Sequence, residues 1–249
     1  KETICGIMQL GLDIPIGYLP MGSTNDFAHS LNIPTDVYKA VEAIINGEPK
    51  PVDIGRFGDE YYMYVAGFGN FTAISYSANQ KVKNVLGKNA YYLQAVKEFF
   101  HMKPFHARVE ADGEFFEGDY FYGAVSNSYS VGGMPVLHNM GVEFDDGRSE
   151  LVLVEMFKTP AQMAALAHDM NHKSVAGNNL VTIRHCKHVI FMFDEPMPFT
   201  LDGEFGGEHT EVEVETLEHA ARIIIQKPEW VSLEDEPDFE GAPKEVEEK

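Results

Sequence analysis

The sequence has few basic residues and few cysteines. Its 19 Lys and Arg stand against 39 Asp and Glu, so the net charge is −20. Binding to nucleic acid needs Lys and Arg that neutralise phosphates, and this composition therefore argues against DNA or RNA as a partner. It also disfavours strong electrostatic docking on anionic lipid. The two cysteines, Cys5 and Cys186, exclude a disulfide framework and fit a reducing, cytoplasmic setting.

Long apolar runs and several catalytic motifs are also absent. No stretch of about 18 apolar residues occurs, so no transmembrane segment is predicted. The charged start, Lys1-Glu2, predicts no signal peptide. The motifs GxSxG and HExxH and a Walker-type lysine loop are missing, which argues against the enzyme classes that those motifs define. The 44% hydrophobic content, with 17 Phe and 11 Tyr, is typical of a folded protein of one large or two ordinary domains.

The segment Gly17–Ala28 carries the main functional pattern of the N-terminal region. Apolar residues within 14–19 predict a buried strand that a Pro-Met-Gly break ends. A helix is predicted to begin near Asn25, with Ser23 or Thr24 as its cap. A strand, a turn of small residues and a helix N-terminus together present free backbone N–H groups to an anion. An ordinary capped turn has the same composition, so both interpretations stay open.

Two further helices are predicted around this segment. The first ends before Gly11; the second is capped by Thr35 and ends at Gly47. Their apolar faces are predicted to be Ile4, Ile7 and Met8 in the first and Val37, Val41, Ile44 and Ile45 in the second. The segment Pro49–Pro51 is predicted to be a stiff connector and a domain boundary.

Beyond this connector the pattern is that of β-structure. Turn residues at Gly58–Glu60 and Asp112-Gly113 predict hairpins, and Gly67–Gly69 is predicted to interrupt a strand. Two inserted helices are predicted, one over 78–101 and one from Thr159-Pro160 to about Met170. The predicted strands are 52–57, 61–66, 107–111, 115–116, 120–126, 151–157, 180–184, 189–193, 210–215 and 220–225.

The predicted fold class is therefore α/β plus β. Residues 1–51 are expected to form an α/β unit, which 220–231 could join, and residues 52–219 an antiparallel β-sandwich with inserted helices. The tail 232–249 holds eight acids against two lysines and is predicted to be solvated and disordered.

Carboxylates provide the candidate chemistry. Asp26, in the first turn of its predicted helix, could reach a metal ion that accompanies a phosphate. Asp202-Gly203 is a hairpin turn by composition, and Glu204 is then either a surface carboxylate or a general base aimed into a cleft. Asp53 lies between two apolar strand residues, so it is either buried with a partner or a metal, or exposed on an edge strand.

Two metal-binding patterns are less specific. Asp145–Gly147, with Glu143 nearby, could bind a hard cation through carboxylate and backbone oxygens, although a plain turn is favoured. The segment His185–His188 offers only two ligands on one strand face and is not predicted to bind zinc. The loop Asn127–Pro135 is predicted to line a site without chemistry of its own.

The segment Gly17–Ala28, followed by Leu31–Pro34, resembles the Gly-x-Leu-Pro-x-Gly-Thr-x-Asn-Asp-Phe-Ala segment of the bacterial diacylglycerol kinase-like lipid kinases. Further matches follow in the family's order and spacing over residues 1–226. They are Val52–Gly55, Val65–Gly69, Gly132–Pro135, Asp145–Gly147 and Leu201–Glu204. The family includes kinases of diacylglycerol and phosphatidylglycerol, and sphingosine and ceramide kinases are its relatives.

The resemblance implies a nucleotide-binding α/β domain related to that of NAD kinases, followed by a β-sandwich, with the active site between them. Residues 1–51 would then be the C-terminal half of the nucleotide-binding domain. The implied reaction transfers the γ-phosphate of ATP to a lipid hydroxyl, first of all that of diacylglycerol, with Mg²⁺ as the second cofactor. A cytoplasmic protein that meets its lipid substrate peripherally at the membrane surface is expected, and a homodimer is left open.

The resemblance also implies residue roles. Glu204 would be the general base on the lipid hydroxyl. Asp26 and Asp53 would belong to the carboxylate and water network around the catalytic Mg²⁺. The residues that would bind the nucleotide are Gly22, Ser23, Thr24 and Asn25, with Ser23 where the family usually has Thr. A structural Mg²⁺ would be held by Asp146 and by backbone oxygens of Glu143 and Arg148, two positions where the side chains depart from those common in the family.

One element of the family is missing from the sequence. The Gly-Gly-Asp-Gly-Thr loop, the main phosphate cradle, normally lies a few residues before an Asn-Glu pair, and Lys1-Glu2 stands in the place of that pair. We therefore expect the sequence to start after this loop and the 249 residues alone to have little kinase activity. A non-catalytic lipid- or protein-binding remnant of the family, and a kinase of a soluble hydroxyl substrate, stay open as alternatives.

Overall fold

The computed structural model describes residues 1–22, 24–69, 103–129, 137, 141–171 and 175–226. Its strands are β1 Pro15–Gly17, β2 Glu48–Phe57, β3 Glu60–Tyr62, β4 Val65–Gly69, β5 Phe105–Ala111, β6 Glu114–Ser126, β7 Ser149–Glu155, β8 Val181–Cys186, β9 His188–Leu201 and β10 Glu204–Ile225. Its helices are α1 Glu2–Leu10, α2 Asp26–Ser30, α3 Val37–Asn46 and α4 Pro160–Asn171, and a 3-10 turn follows at Val175–Gly177.

The 22-residue strand β10 belongs to both halves of the fold. Its first part, 204–215, pairs antiparallel with β9, and its last part, 214–225, pairs with β2. Strand β1 adds in parallel to the same last part. The strand accordingly contributes Val214 to the core of the β-rich half and Ile223 to the core under α1 and α2.

The other strands complete an antiparallel β-sandwich. The sheet order is β3-β2-β10-β9-β4-β6-β7-β8, and β5 pairs with both β6 and β9. The two long strands, β6 and β9, therefore pair with β4 at one end and with β5 at the other. Helices α1–α3 pack near β1, β2 and the end of β10. This arrangement of helices and strands agrees with the predicted class of α/β plus β.

Several local predictions are confirmed. Asp112 and Gly113 have φ of 46° and 88° and join β5 to β6, as the tight hairpin turn requires. Helix α4 begins at Pro160, and the Thr159 hydroxyl accepts a hydrogen bond from the backbone N–H of Gln162 at 3.2 Å. Local turn and cap chemistry decides these boundaries.

The predicted connector at Pro49–Pro51 is wrong, because these residues are strand β2 and pair with Arg222–Ile224. Among the described strands, this part of β2 pairs with β10 alone, and a strand edge tolerates prolines. The predicted interruption at Gly67–Gly69 is also wrong. These residues lie within β4, where a Cβ on Gly69 would stand 2.6 Å from the carbonyl oxygen of Phe121. Close approach to β6 explains the glycine.

Helix α3 has the predicted extent but not the predicted cap or face. Its N-cap is Asp36 rather than Thr35, and the Asp36 carboxylate accepts from the backbone N–H of Lys39 at 3.0 Å. The small residues Ala40 and Ala43 are buried. Of the predicted apolar face, Val37, Val41 and Ile45 are exposed.

Three predictions fall outside the described residues: the helix over 78–101, the Gly132–Pro135 part of the site-lining loop and the tail 232–249. Among the described helices, none is both long and apolar enough to cross a bilayer.

Candidate active site

Glu204 is the first residue of β10 and follows a two-residue turn. Asp202 and Gly203 have φ of 53° and 86°, a conformation that Asp and Gly adopt more readily than other residues. The hairpin that composition predicted is therefore confirmed. Glu204 itself is exposed, so a substrate can reach it.

The Asp202 side chain fixes this turn to the connection between β3 and β4. One carboxylate oxygen accepts from the N–H of Met63 at 2.7 Å, and the other accepts from Tyr64 at 3.0 Å and Val65 at 3.2 Å. The Asp202 N–H donates to the Val65 carbonyl at 2.8 Å. Burial raises the pKa of this carboxyl, and the three backbone donors oppose that effect. Asp202 thus positions Glu204 on a rigid support.

The sequence contains a second copy of the same turn. Asp-Gly-Glu-Phe occurs at 112–115 as well as at 202–205, and the Glu and Phe of both copies are exposed. The Asp112 carboxylate accepts from the backbone N–H groups of Lys187 and His188 at 3.0 and 2.9 Å, on the exposed surface. The 112–115 turn is therefore a matched control for the 202–205 turn.

Asp202→Ala is expected to lower the free energy of unfolding by about 2–4 kcal/mol, because three backbone donors lose their acceptor. Asp112→Ala is expected to cost about 1 kcal/mol or less, since water can replace its carboxylate. Urea denaturation of the two variants measures the difference. Equal losses would contradict the anchoring role of Asp202.

Asp26 opens helix α2 and is buried, with 2% of its surface exposed. Burial raises the pKa of Tyr64, and the charges of Asp202 and Asp26 raise it further. The same two carboxylates raise the pKa of Tyr18, after burial, which is the largest cause. The contacts agree with this: the Phe27 ring, next to Asp26, lies 5.3 Å from the ring of Tyr18, and Tyr64, whose ring also neighbours Phe27, donates its backbone N–H to Asp202. The fold therefore brings the start of α2 close to the turn that carries Glu204.

Contacts with the sandwich hold α2 in this position. The Phe27 ring lies 6.3 Å from the ring of Tyr64. The hydroxyls of Ser30 and Ser128 share a buried hydrogen bond of 2.8 Å, and Ser30 Oγ also accepts from the N–H of Tyr129 at 3.1 Å. These bonds join the helix to the segment that follows β6.

The predicted cap of α2 is wrong. The N-cap is Asn25, with φ of 51°, and not Thr24, which is exposed. The Asn25 amide oxygen accepts from the N–H of Gly22 at 2.8 Å and closes a turn there. Asn tolerates this left-handed conformation better than Thr, which explains the one-residue shift. Ser23 lies outside the described residues.

Asp53 is buried, with 1% of its surface exposed, so the alternative of a solvent-facing Asp is wrong. Its two carboxylate oxygens accept from the N–H groups of Gly147 at 2.7 Å and His219 at 2.8 Å. The backbone N–H of Asp53 donates to the carbonyl oxygen of Phe144 at 2.7 Å. Burial raises the pKa of Asp53, and the two backbone donors oppose this. Asp53 therefore connects β2, the 144–147 segment and the irregular part of β10, where the pairing with β2 shifts register between Leu217 and Ala221.

Asp146 lies in the segment that Asp53 holds. Its Oδ1 accepts from the N–H of Arg148 at 2.9 Å, and its Oδ2 shares a hydrogen bond of 2.9 Å with His185 Nε2. Glu143 and Arg148, whose backbone oxygens were predicted to bind a cation, are exposed. Within the described part of the chain, no three His, Cys, Asp or Glu side chains already converge as metal ligands.

A buried acid that the sequence did not single out lies beside Asp146. Glu150 is 2% exposed, and neither carboxylate oxygen has a hydrogen-bond partner. Burial raises the pKa of Glu150 to about 8, and the charge of Asp146 adds to this shift. An orphaned carboxylate at this position fits a divalent cation held by Asp146.

Comparison with protein families places these features in context. A model of the diacylglycerol kinase catalytic domain matches residues 1–57, and a model of the YegS C-terminal NAD kinase beta sandwich-like domain matches residues 66–225. A diacylglycerol kinase of Staphylococcus carnosus is 33% identical over 212 residues, which cover 84% of this chain and 67% of the relative. One of Bacillus subtilis is 30% identical over 208 residues, 83% of this chain and 68% of the relative.

This chain belongs to the diacylglycerol kinase-like family. The crystal structure of a diacylglycerol kinase from Bacillus anthracis has the same fold, with a TM-score of 0.71 over 92% of this chain and 74% of that chain, at 23% identity. The resemblance seen in the sequence and the predicted fold class are both confirmed. The chain spans about two thirds of the length of these relatives.

For this diacylglycerol kinase-like chain, the sequence predicted Asp26, Asp53, Asp146 and Glu204 as site residues, and these assignments stay predictions. It did not indicate Asp202 as an anchor or Glu150 as a buried acid. Composition identified Asp202 only as a turn residue. Its three donors come from 63–65, far away in sequence. Glu150 directly precedes the apolar run Leu151–Val154, and an acid at the start of a buried strand was the available indication.

Proposed function

We propose that the protein containing this chain is a lipid kinase that transfers the γ-phosphoryl group of ATP to a lipid hydroxyl, with diacylglycerol as the first acceptor to test. The supporting observation is the exposed Glu204, set on a turn that Asp202 anchors and close to the buried Asp26 of α2. The family and the relatives named diacylglycerol kinase support the same reaction class.

In this proposal Glu204 accepts the proton of the lipid hydroxyl while the new oxygen–phosphorus bond forms and the bond from the γ-phosphorus to ADP breaks. Phosphoryl transfer depends mainly on positioning and on neutralising negative charge. A fixed turn supports positioning, because Asp202 restrains the backbone directly before the base. The protein then supplies geometry and a proton acceptor.

Mg²⁺ supplies the charge neutralisation when it is bound with ATP. Asp26 is the residue that we assign to the catalytic ion, and Gly22, Thr24 and Asn25 with Ser23 are those that we assign to the nucleotide phosphates. We assign Asp53 a supporting role, because both of its oxygens already accept backbone N–H groups. A second ion is assigned to Asp146 and the backbone oxygens of Glu143 and Arg148.

A lipid is tested ahead of a soluble hydroxyl substrate because the relatives are named diacylglycerol kinases. Phe205, directly after Glu204, is 62% exposed, and Met21, directly before Gly22, is 76% exposed. These side chains are compatible with contact with acyl chains, but Phe115 in the control turn is 73% exposed as well, so exposure alone does not select the substrate.

The test is transfer of radiolabelled phosphate from ATP to a panel of lipids and soluble polyols, with thin-layer separation of the products. In a longer protein that joins this chain to a glycine-rich phosphate loop, we expect Mg²⁺-dependent labelling of diacylglycerol. The 249 residues alone are expected to label little, because their sequence contains no such loop. Labelling of polyols but not lipids, or of no acceptor at all by the longer protein, would contradict the proposal.

A further inference from the structure

The Glu150 carboxylate is the most unusual polar group among the described residues. It is 2% exposed on strand β7 and directly opposite His185 of β8, and neither oxygen is hydrogen-bonded. A buried carboxylate without hydrogen bonds is neutralised either by a proton or by a cation, and buried charges are normally paired or bound to metal. The group therefore calls for a neutralising partner.

Two side chains near Glu150, Asp146 and His185, could help to bind a neutralising cation. His185 Nε2 lies 4.0 Å from Glu150 Oε1 and 2.9 Å from Asp146 Oδ2, so two carboxylates share one imidazole. The guanidinium of Arg148 instead bonds the His185 carbonyl at 3.3 Å and lies 3.6 Å from Asp112. The nearest basic side chain is thus directed elsewhere.

We propose that Asp146, Glu150 and His185 form the side-chain part of a divalent cation site that prefers Mn²⁺ or Zn²⁺ to Mg²⁺. The inference rests on the proposed role of Asp146 as a cation ligand and adds two donors to it. Two carboxylates and a neutral imidazole balance the charge of a divalent ion. Imidazole nitrogen favours transition metals, whereas a purely oxygen set favours Mg²⁺.

The distances show what has to change when the cation binds. Asp146 Oδ2 and His185 Nε2, 2.9 Å apart, suit adjacent ligands at about 2.1 Å from one ion. The hydrogen bond between them must break, and the Nε2 proton leaves to solvent or moves to Nδ1. Glu150 Oε1 must move closer to His185 than its present 4.0 Å. Backbone oxygens of Glu143 and Arg148 can complete the coordination.

Such a cation would connect three elements. His185 belongs to β8, Glu150 to β7, and Asp146 to the segment whose Gly147 N–H bonds Asp53. Asp53 in turn binds His219 in the irregular part of β10. Binding is therefore expected to stabilise the connection between the sandwich and β2.

The test is titration of Mn²⁺ into the 249-residue chain, with the electron paramagnetic resonance signal of free Mn²⁺ as readout. We expect one bound Mn²⁺ that Zn²⁺ displaces and that Mg²⁺ displaces poorly. Glu150→Gln and His185→Gln are each expected to weaken binding by about tenfold or more. The control is His106→Gln, which changes an exposed histidine that pairs with Glu117 and Asp119 in a similar way.

Thermal unfolding distinguishes loss of the site from loss of the fold. Without metal, Glu150→Gln is expected to be at least as stable as the unaltered chain, because it removes an unpartnered buried carboxylate. With Mn²⁺, only the unaltered chain and the His106→Gln control are expected to gain stability. Absence of Mn²⁺ binding would overturn the proposal. So would loss of binding in Asp146→Asn while Glu150→Gln and His185→Gln bind normally. Neither readout is phosphotransfer, so the result is independent of the proposed kinase activity.

Discussion

Glu204→Gln is expected to lower kcat for lipid phosphorylation by about 100- to 10,000-fold, the range for removal of a general base. The variant keeps the size and hydrogen-bonding capacity of the side chain but cannot take up the hydroxyl proton. Because Glu204 is exposed and Asp202 holds the turn, neither the fold nor the KM for ATP is expected to change. The measurement is steady-state kinetics of the kinase-competent longer protein with diacylglycerol.

The matched control for this variant is Glu114→Gln. Glu114 has the same place in the other Asp-Gly-Glu-Phe turn and binds Arg184 at 2.9 Å on the surface. Its replacement is expected to leave kcat unchanged. If Glu204→Gln kept most of its turnover, or if Glu114→Gln lost as much, Glu204 would not be the base.

Asp53→Ala is expected to lower the free energy of unfolding by about 3 kcal/mol, because a buried and a partly buried backbone N–H lose a charged acceptor. Asp53→Asn keeps one acceptor oxygen, so roughly half of that loss is expected. Asp53→Ala is also expected to weaken cation binding at Asp146, since the backbone N–H of Gly147 then loses its acceptor. Urea denaturation and the Mn²⁺ titration measure the two effects.

Asp13→Ala provides the comparison for Asp53. Asp13 bonds Arg222 at 2.8 Å with 88% of its side chain exposed, and such a surface pair contributes about 0–1 kcal/mol. If Asp53→Ala proved no more destabilising than Asp13→Ala, the two short backbone hydrogen bonds would not be what stabilises this region.

Local chemistry explains which parts of the fold were predictable. Asp-Gly at 112–113 and 202–203 and Thr159-Pro160 at the start of α4 act through their own backbone and a few neighbours. A sequence contains that information directly. The family membership was also predictable, because several short motifs kept their order and spacing.

Long-range pairing explains most of what was not predicted. The segment Pro49–Pro51 is a strand only because the end of β10 pairs with it. Strand β10 is continuous from Glu204 to Ile225 although the sequence suggested separate strands, since β9 and β2 support it in succession. Exposure of Val37 and Ile45 on α3 likewise depends on which face meets the sheet.

The two Asp-Gly-Glu-Phe turns separate most clearly what the sequence determines from what the tertiary structure decides. The sequence by itself predicted both turns, because Asp and Gly accept positive φ. The four-residue pattern of the turns does not show whether Glu114 or Glu204 is the candidate base. Only the tertiary structure places Asp202 on the N–H groups of 63–65, where Tyr64 packs against Phe27 of α2, and Asp112 on Lys187 and His188 at the surface. Hydrogen bonds between segments far apart in the chain decide which turn carries the candidate base.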